Sequence, residues 1–266
     1  MDKTEVCNNV KKVIRQIIID NGTKILSAGT GVIVKEDGTL ITAKHVIESE
    51  SGIYHGKILV KGIDTEQIEY QPVIHGFGFD ISQPEFMEPV SIDLTVLKPT
   101  KKLSAVEYIK LFDGIAEVGT DIIMAGFPDD IELPFDFIEK LKIENPEIAK
   151  VKNTIDSRLD YYFRQLMFKS GMVGHCPKIH LNNFDVSKLK IHGLGKINVL
   201  GATYWIDNQL TYGGSGGPIV NLNGELLGII CKKALTKSKI PNIPKLPSGT
   251  GMGLSHQLIS WIFSNI

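Results

Sequence analysis

The segment Tyr212-Gly-Gly-Ser-Gly-Gly-Pro218, running on into Ile219-Val220, decides how this chain is read. A serine with two glycines on each side has almost no side-chain bulk around it. A carbonyl compound can therefore approach its hydroxyl, and backbone N–H groups can converge on an oxyanion formed there. Glycine also tolerates the positive φ angles that so tight a loop demands. The residues after the serine indicate the architecture. Pro218 and the β-branched pair Ile219-Val220 continue as a strand, and Asn223-Gly224 then reads as a hairpin turn into Glu225–Cys231.

The pattern Gly-x-Ser-x-Gly also fits the nucleophile elbow of α/β-hydrolases, which needs strand, serine, helix, and then an acid and a histidine later in the chain. Here a strand comes directly after Ser215, no aspartate occurs beyond it, and only Glu225 and His256 remain as partners in a chain without βαβ alternation. That reading is set aside. The opposite order, histidine then aspartate then serine, fits. His45 lies in Leu40-Ile-Thr-Ala-Lys-His-Val-Ile47, where a strand ends and a turn begins. Asp93 lies in Ile92-Asp-Leu-Thr-Val-Leu-Lys98, just before an apolar strand. A half-buried carboxylate there can accept the His45 Nδ1–H and hold the ring in one tautomer. Taken singly, each has an ordinary explanation: a bystander serine in a turn, a packing histidine, a capping aspartate. Asp80 is the fallback for the acid, and the other histidines read as surface or packing residues.

Outward from these motifs the chain is a series of short β-type runs. Ile25–Leu26, Gly31–Lys35 and Thr39–Thr42 surround the Asp37-Gly38 hairpin turn. Lys57–Lys61, Glu69–Ile74, Leu94–Leu97, Asp121–Ala125 and Val199–Ile206 come next. Many short strands with glycine-rich turns indicate an all-β barrel or sandwich. Three segments differ. Val6, Val10, Val13, Ile14 and Ile17 have helical spacing, so an amphipathic helix is expected within residues 1–22. Residues 129–167 have helical spacing interrupted at Pro146 and read as a helical insertion. The final SHQLISWIFSNI reads as a short C-terminal helix.

Composition narrows the function classes. A hydrophobic content of 42% and charged content of 22% over 266 residues describe a globular chain with ample core material. A net charge of −1 gives no reason to expect nucleic acid or an acidic membrane as partner. Lys232, Lys233, Lys237 and Lys239 cluster, and a solvated loop accounts for them. Cys7, Cys176 and Cys231 are far apart and match no metal spacing, so no metal site is expected. So few cysteines favour a reducing compartment. The N-terminus lacks the order of a signal peptide, and no apolar run approaches the ~20 residues that span a bilayer. A cytoplasmic protein is expected.

Taken together these motifs resemble those of trypsin-like serine peptidases, most of all the bacterial-type, HtrA-like branch. Gly29-Thr-Gly-Val-Ile-Val34 with Asp37-Gly-Thr-Leu-Ile-Thr-Ala-Lys-His-Val46 looks like the family's histidine segment, and Ile92–Leu97 its aspartate segment. Gly213–Val220 resembles its nucleophile segment, and Ala125-Gly-Phe-Pro128 a glycine-proline turn between the two. Gly224–Ile230 and Gly251-Met-Gly-Leu254 resemble the strand pair beside its substrate cleft. The resemblance covers roughly residues 23–128 and 168–262.

It implies a double six-stranded β-barrel, with residues 23–112 forming the first barrel and 113–266 the second, around the insertion at about 129–167. Ser215 would be the nucleophile, His45 the general base and acid, and Asp93 the orienting carboxylate. The N–H groups of Gly213 and Ser215 would form the oxyanion hole, with no cofactor. Gln209, Leu210, Cys231, Lys232 and Gly251 would surround the specificity pocket. No carboxylate stands there to bind Lys or Arg, so a neutral, small to medium P1 residue is expected. Gly214 replaces the aspartate that pairs with a new N-terminus in animal trypsins, so zymogen activation of that kind is not expected. Nor is a PDZ-like domain. The implied activity is endopeptidase cleavage of a peptide or protein through an acyl-enzyme. The alternative is a latent or inactive protease-fold scaffold whose cleft an activating protein partner must open.

Overall fold

The computed structural model describes residues 1–49, 52–63, 66–83, 86–114, 116–128, 165–176, 203–210, 212–235 and 247–264. Its first helix is short. Lys3–Val10 (α1) is capped by Asp2, whose carboxylate accepts the Glu5 N–H at 2.8 Å. The amphipathic helix expected within residues 1–22 ends there, and Ile14–Asp20 is a strand, β1. In Ile-Arg-Gln-Ile-Ile-Ile-Asp, β-branched residues dominate. Ile17, Ile18 and Ile19 are all buried in succession, so both faces of β1 are covered. A run buried on both faces does not betray its period, and Val13, Ile14 and Ile17 mimic helical spacing by accident.

Beyond α1 the chain forms two closed six-stranded barrels, antiparallel throughout. The first consists of β1 with Ile25–Ile33 (β2), Leu40–Thr42 (β3), Lys57–Lys61 (β6), Ile68–Gln83 (β7) and Phe86–Pro99 (β8). Its order is β1-β2-β3-β8-β7-β6, and β6 pairs back onto β1. Glu48–Ser49 (β4) and Gly52–Ile53 (β5) form a small separate hairpin. The second barrel consists of Asp121–Gly126 (β9), Met167–His175 (β10), Thr203–Ile206 (β11), Pro218–Asn221 (β12), Leu226–Leu235 (β13) and Pro247–Ser255 (β14). Its order is β10-β11-β14-β13-β12-β9, closed by β9 on β10. Closure leaves neither sheet an open edge. His256–Ser264 (α2) comes after β14. Among the described residues no helix is long and apolar enough to cross a membrane.

The strands β7 and β8 are longer than their apolar runs suggest. Their pairing extends from Tyr70 opposite Pro99 to Gln83 opposite Phe86. Asp93 therefore lies inside β8 and not ahead of it. The register passes from His75 opposite Thr95 to Phe77 opposite Ile92, which leaves Asp93 and Leu94 facing Gly76 alone. Such a bulge re-aims a side chain out of the regular alternation. Of the insertion expected at 129–167, residues 129–164 lie outside the described residues, and its last residue, Met167, begins β10.

The inter-barrel connection is hydrogen-bonded to both barrels. Ile109 N–H donates to Ile33 O at 2.9 Å, Phe112 N–H to Leu226 O at 3.0 Å, and Leu226 N–H returns to Lys110 O at 2.8 Å. One apolar cluster fills the first barrel and runs across the junction to Val220, Leu226 and Ile229. A second, with Ile122, Met124, Tyr204, Ile206 and Leu227, fills the other barrel. The junction is therefore a packed interior, and groups held there keep fixed positions.

Candidate active site

His45 sits on a single 3-10 turn, Lys44–Val46, that leaves β3. The turn lies against β2 because residue 29 is glycine, and a Cβ there would collide with the Val46 side chain. Asp93 reaches the same turn from the bulge in β8. Its Oδ2 is 2.7 Å from His45 Nδ1, and its Oδ1 accepts the His45 backbone N–H at 3.0 Å. The carboxylate is 16% exposed and the imidazole 46%. One ring edge is thus held by a covered acid while the other remains open. Burial alone would raise the Asp93 pKa, but the hydrogen bonds and charge of His45, with a contribution from Lys232, hold it below the usual value.

Behind this pair lies Cys231, whose buried thiol is 3.6 Å from the Asp93 carbonyl oxygen. Burial, reinforced by the Asp93 charge, pushes that thiol well up. It acts as a small apolar filler with a weak S–H donor. None of the three cysteines is joined in a disulfide.

The loop carrying Ser215 is shaped by contacts that exclude side chains. Gly213 and Gly216 have φ of 81° and 82°. A Cβ on Gly216 would fall onto Thr30 O and Thr42 Oγ1, and one on Gly217 onto Ala125 O. The loop is anchored from the first barrel by Thr30. Its Oγ1 donates to Gly213 O at 2.7 Å and accepts Phe127 N–H at 2.9 Å, while its N–H donates to Ser215 O at 2.9 Å. Thr42 Oγ1 in turn donates to Thr30 O at 2.7 Å. The N–H groups of Gly216 and Gly217 are used on Ile230 O and Gly214 O. Those of Gly213 and Ser215 have no acceptor among the described residues.

His45, Asp93 and Ser215 line one cavity of about 760 Å³, with Leu210, Tyr212 and Cys231 also on its walls. A family model described as trypsin-like peptidase domain matches residues 29–229, well over half of the chain. The chain belongs to that family. Among solved structures it is similar to the Rv3671c protease from M. tuberculosis in its active form, at 15% identity and a TM-score of 0.59, covering 98% of this chain and 83% of that one. It is also similar to a serine endoprotease from Yersinia pestis, at 17% identity and a TM-score of 0.57, covering 99% of this chain and 66% of the other. An inactive serine-to-alanine mutant of Rv3671c gives 16% identity and a TM-score of 0.57, covering 99% and 91%. At such identities the likeness shows the fold. No curated protein sequence matches the chain.

The remaining expected pocket residues divide in this trypsin-like peptidase. Leu210, Cys231 and Lys232 line the cavity with Ser215. Gln209 and Gly251 are not among its lining residues and pack against each other, where the Gly251 N–H donates to Asn208 O at 3.0 Å. Glu225, one rival partner for the serine, is paired with Lys110 at 2.7 Å. His256, the other, is buried between Leu227 O and Gly114 O. The side chain of Asp80 lies outside the described residues, and no group of metal-ligating side chains occurs among those described.

Sequence reasoning missed several neighbours of the site. Thr30 was visible only as the middle of Gly29-Thr-Gly31, with partners too distant in the chain to suggest its role. Beside His45, Lys44 Nζ pairs with Glu48 Oε1 at 2.9 Å, and the other Glu48 oxygen meets His75 Nε2. Burial would raise the Glu48 pKa, but the hydrogen bonds from Lys44 and His75 keep it low. His75, read as a packing or surface residue, completes this network.

Proposed function

We propose that this chain is a serine endopeptidase acting through an acyl-enzyme on Ser215. The observation that carries the reading is the His45 ring, tied to Asp93 through Nδ1 and the backbone, in one cavity with a serine whose loop leaves two N–H groups without an acceptor among the described residues.

In the proposed reaction, His45 Nε2 removes the Ser215 hydroxyl proton as Oγ bonds to the scissile carbonyl carbon. The carbonyl oxygen becomes an oxyanion facing the N–H groups of Gly213 and Ser215. The imidazolium passes its proton to the departing amine, the C–N bond breaks, and the acyl group stays on Oγ. Water then repeats the sequence, giving up a proton to His45, and the carboxylic acid leaves with Ser215 restored. Asp93 stays ionised throughout, fixing the tautomer and stabilising the imidazolium. Its depressed pKa suits that role.

A fluorophosphonate probe tests this directly. The intact chain should be labelled on Ser215, and Ser215→Ala should abolish labelling. An unlabelled but folded wild-type protein would favour the latent or inactive scaffold, and labelling restored by a protein partner would identify the latent form.

A further inference from the structure

Asp93 grips His45 from β8, and the turn that carries the ring has a second hold on the barrel. Glu48 follows that turn at the start of β4. Its two carboxylate oxygens go to different elements. Oε1 pairs at 2.9 Å with Nζ of Lys44, the residue before His45, and Oε2 meets Nε2 of His75 on β7. An ionised carboxylate can only accept, so His75 Nε2 is the donor. One carboxylate thus spans the turn and fastens it to the barrel wall. The Lys44, Glu48 and His75 side chains are 26%, 23% and 22% exposed, so the whole strap is largely covered.

His75 stands where the barrel supplies the other hold. It faces Thr95 across β7 and β8, and its neighbour Gly76 faces the bulge that carries Asp93. The two holds therefore leave the barrel side by side and run in opposite directions. A barrel carboxylate, Asp93, takes the imidazole of the turn, while Glu48, beyond the turn, takes an imidazole of the barrel. His75 Nδ1 is buried without a hydrogen-bond partner among the described residues, so Glu48 is the polar anchor of that ring. Two contacts from one carboxylate leave the turn free to pivot about Asp93. Its own hydrogen bonds, Val46 N–H to Ala43 O and Ile47 N–H to Lys44 O, are internal and do not oppose that motion. Packing of Val46 against β2 and the Glu48 strap do. Lys44 and Glu48 line the cavity with His45 and Ser215, whereas His75 is not among its lining residues.

We infer that Glu48 and His75 form a positioning pair for His45, holding its turn at the angle that aims Nε2 at Ser215. The inference rests on the peptidase reading of the cavity. Neither residue belongs to the motifs that carry the family resemblance. Because the pair acts through the placement of the base, its loss is felt in the rate of acylation and not in binding. Misplacing a reacting group by about 1 Å costs on the order of 100-fold in rate.

The test is the reaction of the full-length chain with a small fluorophosphonate, resolved into Ki and kinact, with urea midpoints to establish that each variant folds. Glu48→Gln leaves one oxygen for two donors, and His75→Phe keeps the ring volume without the N–H. Each should lose about 10- to 100-fold in kinact with Ki unchanged. The double variant should lose no more than the worse single one, because the two residues act as a unit. His75→Gln, whose amide restores a donor to Glu48, should recover most of the loss. Should His75→Phe fail to fold, Glu48→Gln alone carries the comparison. Unchanged kinact in folded variants, losses that multiply in the double variant, or a rise in Ki with kinact intact would overturn the inference. A wild-type chain that is not labelled would instead remove the peptidase reading. The pair is then judged by the proton NMR signal of His45 Nδ1–H, assigned through its absence from His45→Gln. That signal should shift or broaden in His75→Phe and return in His75→Gln, and an unchanged signal would overturn the pairing.

Discussion

At the scale of single residues, the site depends on how firmly one carboxylate holds one imidazole. Asp93 makes two contacts to His45, one to the ring and one to the backbone N–H of the same residue. This two-point grip sets both the position of the turn and the tautomer of the ring. Replacing Asp93 with Asn keeps the shape but presents an amide that can donate to Nδ1, favouring the wrong tautomer. With peptide substrates, kcat should fall by roughly 10⁴-fold, as expected when a triad acid is neutralised in place. The denaturation midpoint should move little, because the amide oxygen can still accept the His45 N–H. Near-normal turnover by the variant would remove Asp93 from the mechanism and direct attention to Asp80.

At the scale of elements, the nucleophile loop is held from the opposite barrel. Thr30 on β2 satisfies Gly213 O, Phe127 N–H and Ser215 O together, so β2 of one barrel shapes the loop of the other. Thr30→Val preserves side-chain volume but leaves Gly213 O and Phe127 N–H without their partner. Buried groups orphaned in this way cost about 1–3 kcal/mol each, so urea denaturation should show a loss of about 2–6 kcal/mol. Fluorophosphonate labelling of the variant should also slow, since the Gly213 peptide loses its anchor. A loss below about 1 kcal/mol would mean that the loop holds itself. This coupling shows where the sequence was legible. Gly213–Gly217, His45 and Asp93 could be read because each motif carries its chemistry within a few residues. Thr30 could not, because its partners lie 97 and 183 residues away. The extent of β7 and β8 was hidden as well, since Gly76, Gly78 and Pro89 carry turn and breaker signals inside otherwise alternating segments. Lys232 and Lys233 read as loop residues because two consecutive lysines break the alternation expected of a half-buried strand, yet they pair with Met252 and Gly251 inside β13. In β1, burial on both faces erased the period that separates strand from helix.

At the scale of the whole molecule, the second barrel, the inter-barrel connection and α2 meet at His256. The residue is 2% exposed. Its Nδ1 lies 3.0 Å from Leu227 O on β13, and its Nε2 lies 2.9 Å from Gly114 O in the connection. Phe112 packs edge-on against the ring, with centroids 5.6 Å apart. Burial lowers the pKa of this histidine from 6.5, outweighing the opposing pull of the two carbonyls. That direction fixes the sign of the pH effect. Between the folded pKa and 6.5 the unfolded chain binds a proton that the folded chain does not, so stability rises with pH across that interval. The contribution is complete above about pH 6.5 and is lost as pH falls through the folded value. Urea midpoints of the wild-type chain should therefore drop between pH 7.5 and pH 5 by more than those of His256→Gln (pH values chosen to bracket about 6.5, the ordinary histidine value). At the upper pH the variant should be the less stable protein, by about 1–3 kcal/mol, because a glutamine cannot reach both carbonyls as the ring does. Asp93 and Glu48 also have depressed pKa values, but they titrate in both proteins, so the difference between the two pH profiles isolates His256. Equal slopes for the two proteins would show that the ring charges as readily in the fold as out of it, and that α2 is held by its apolar face alone.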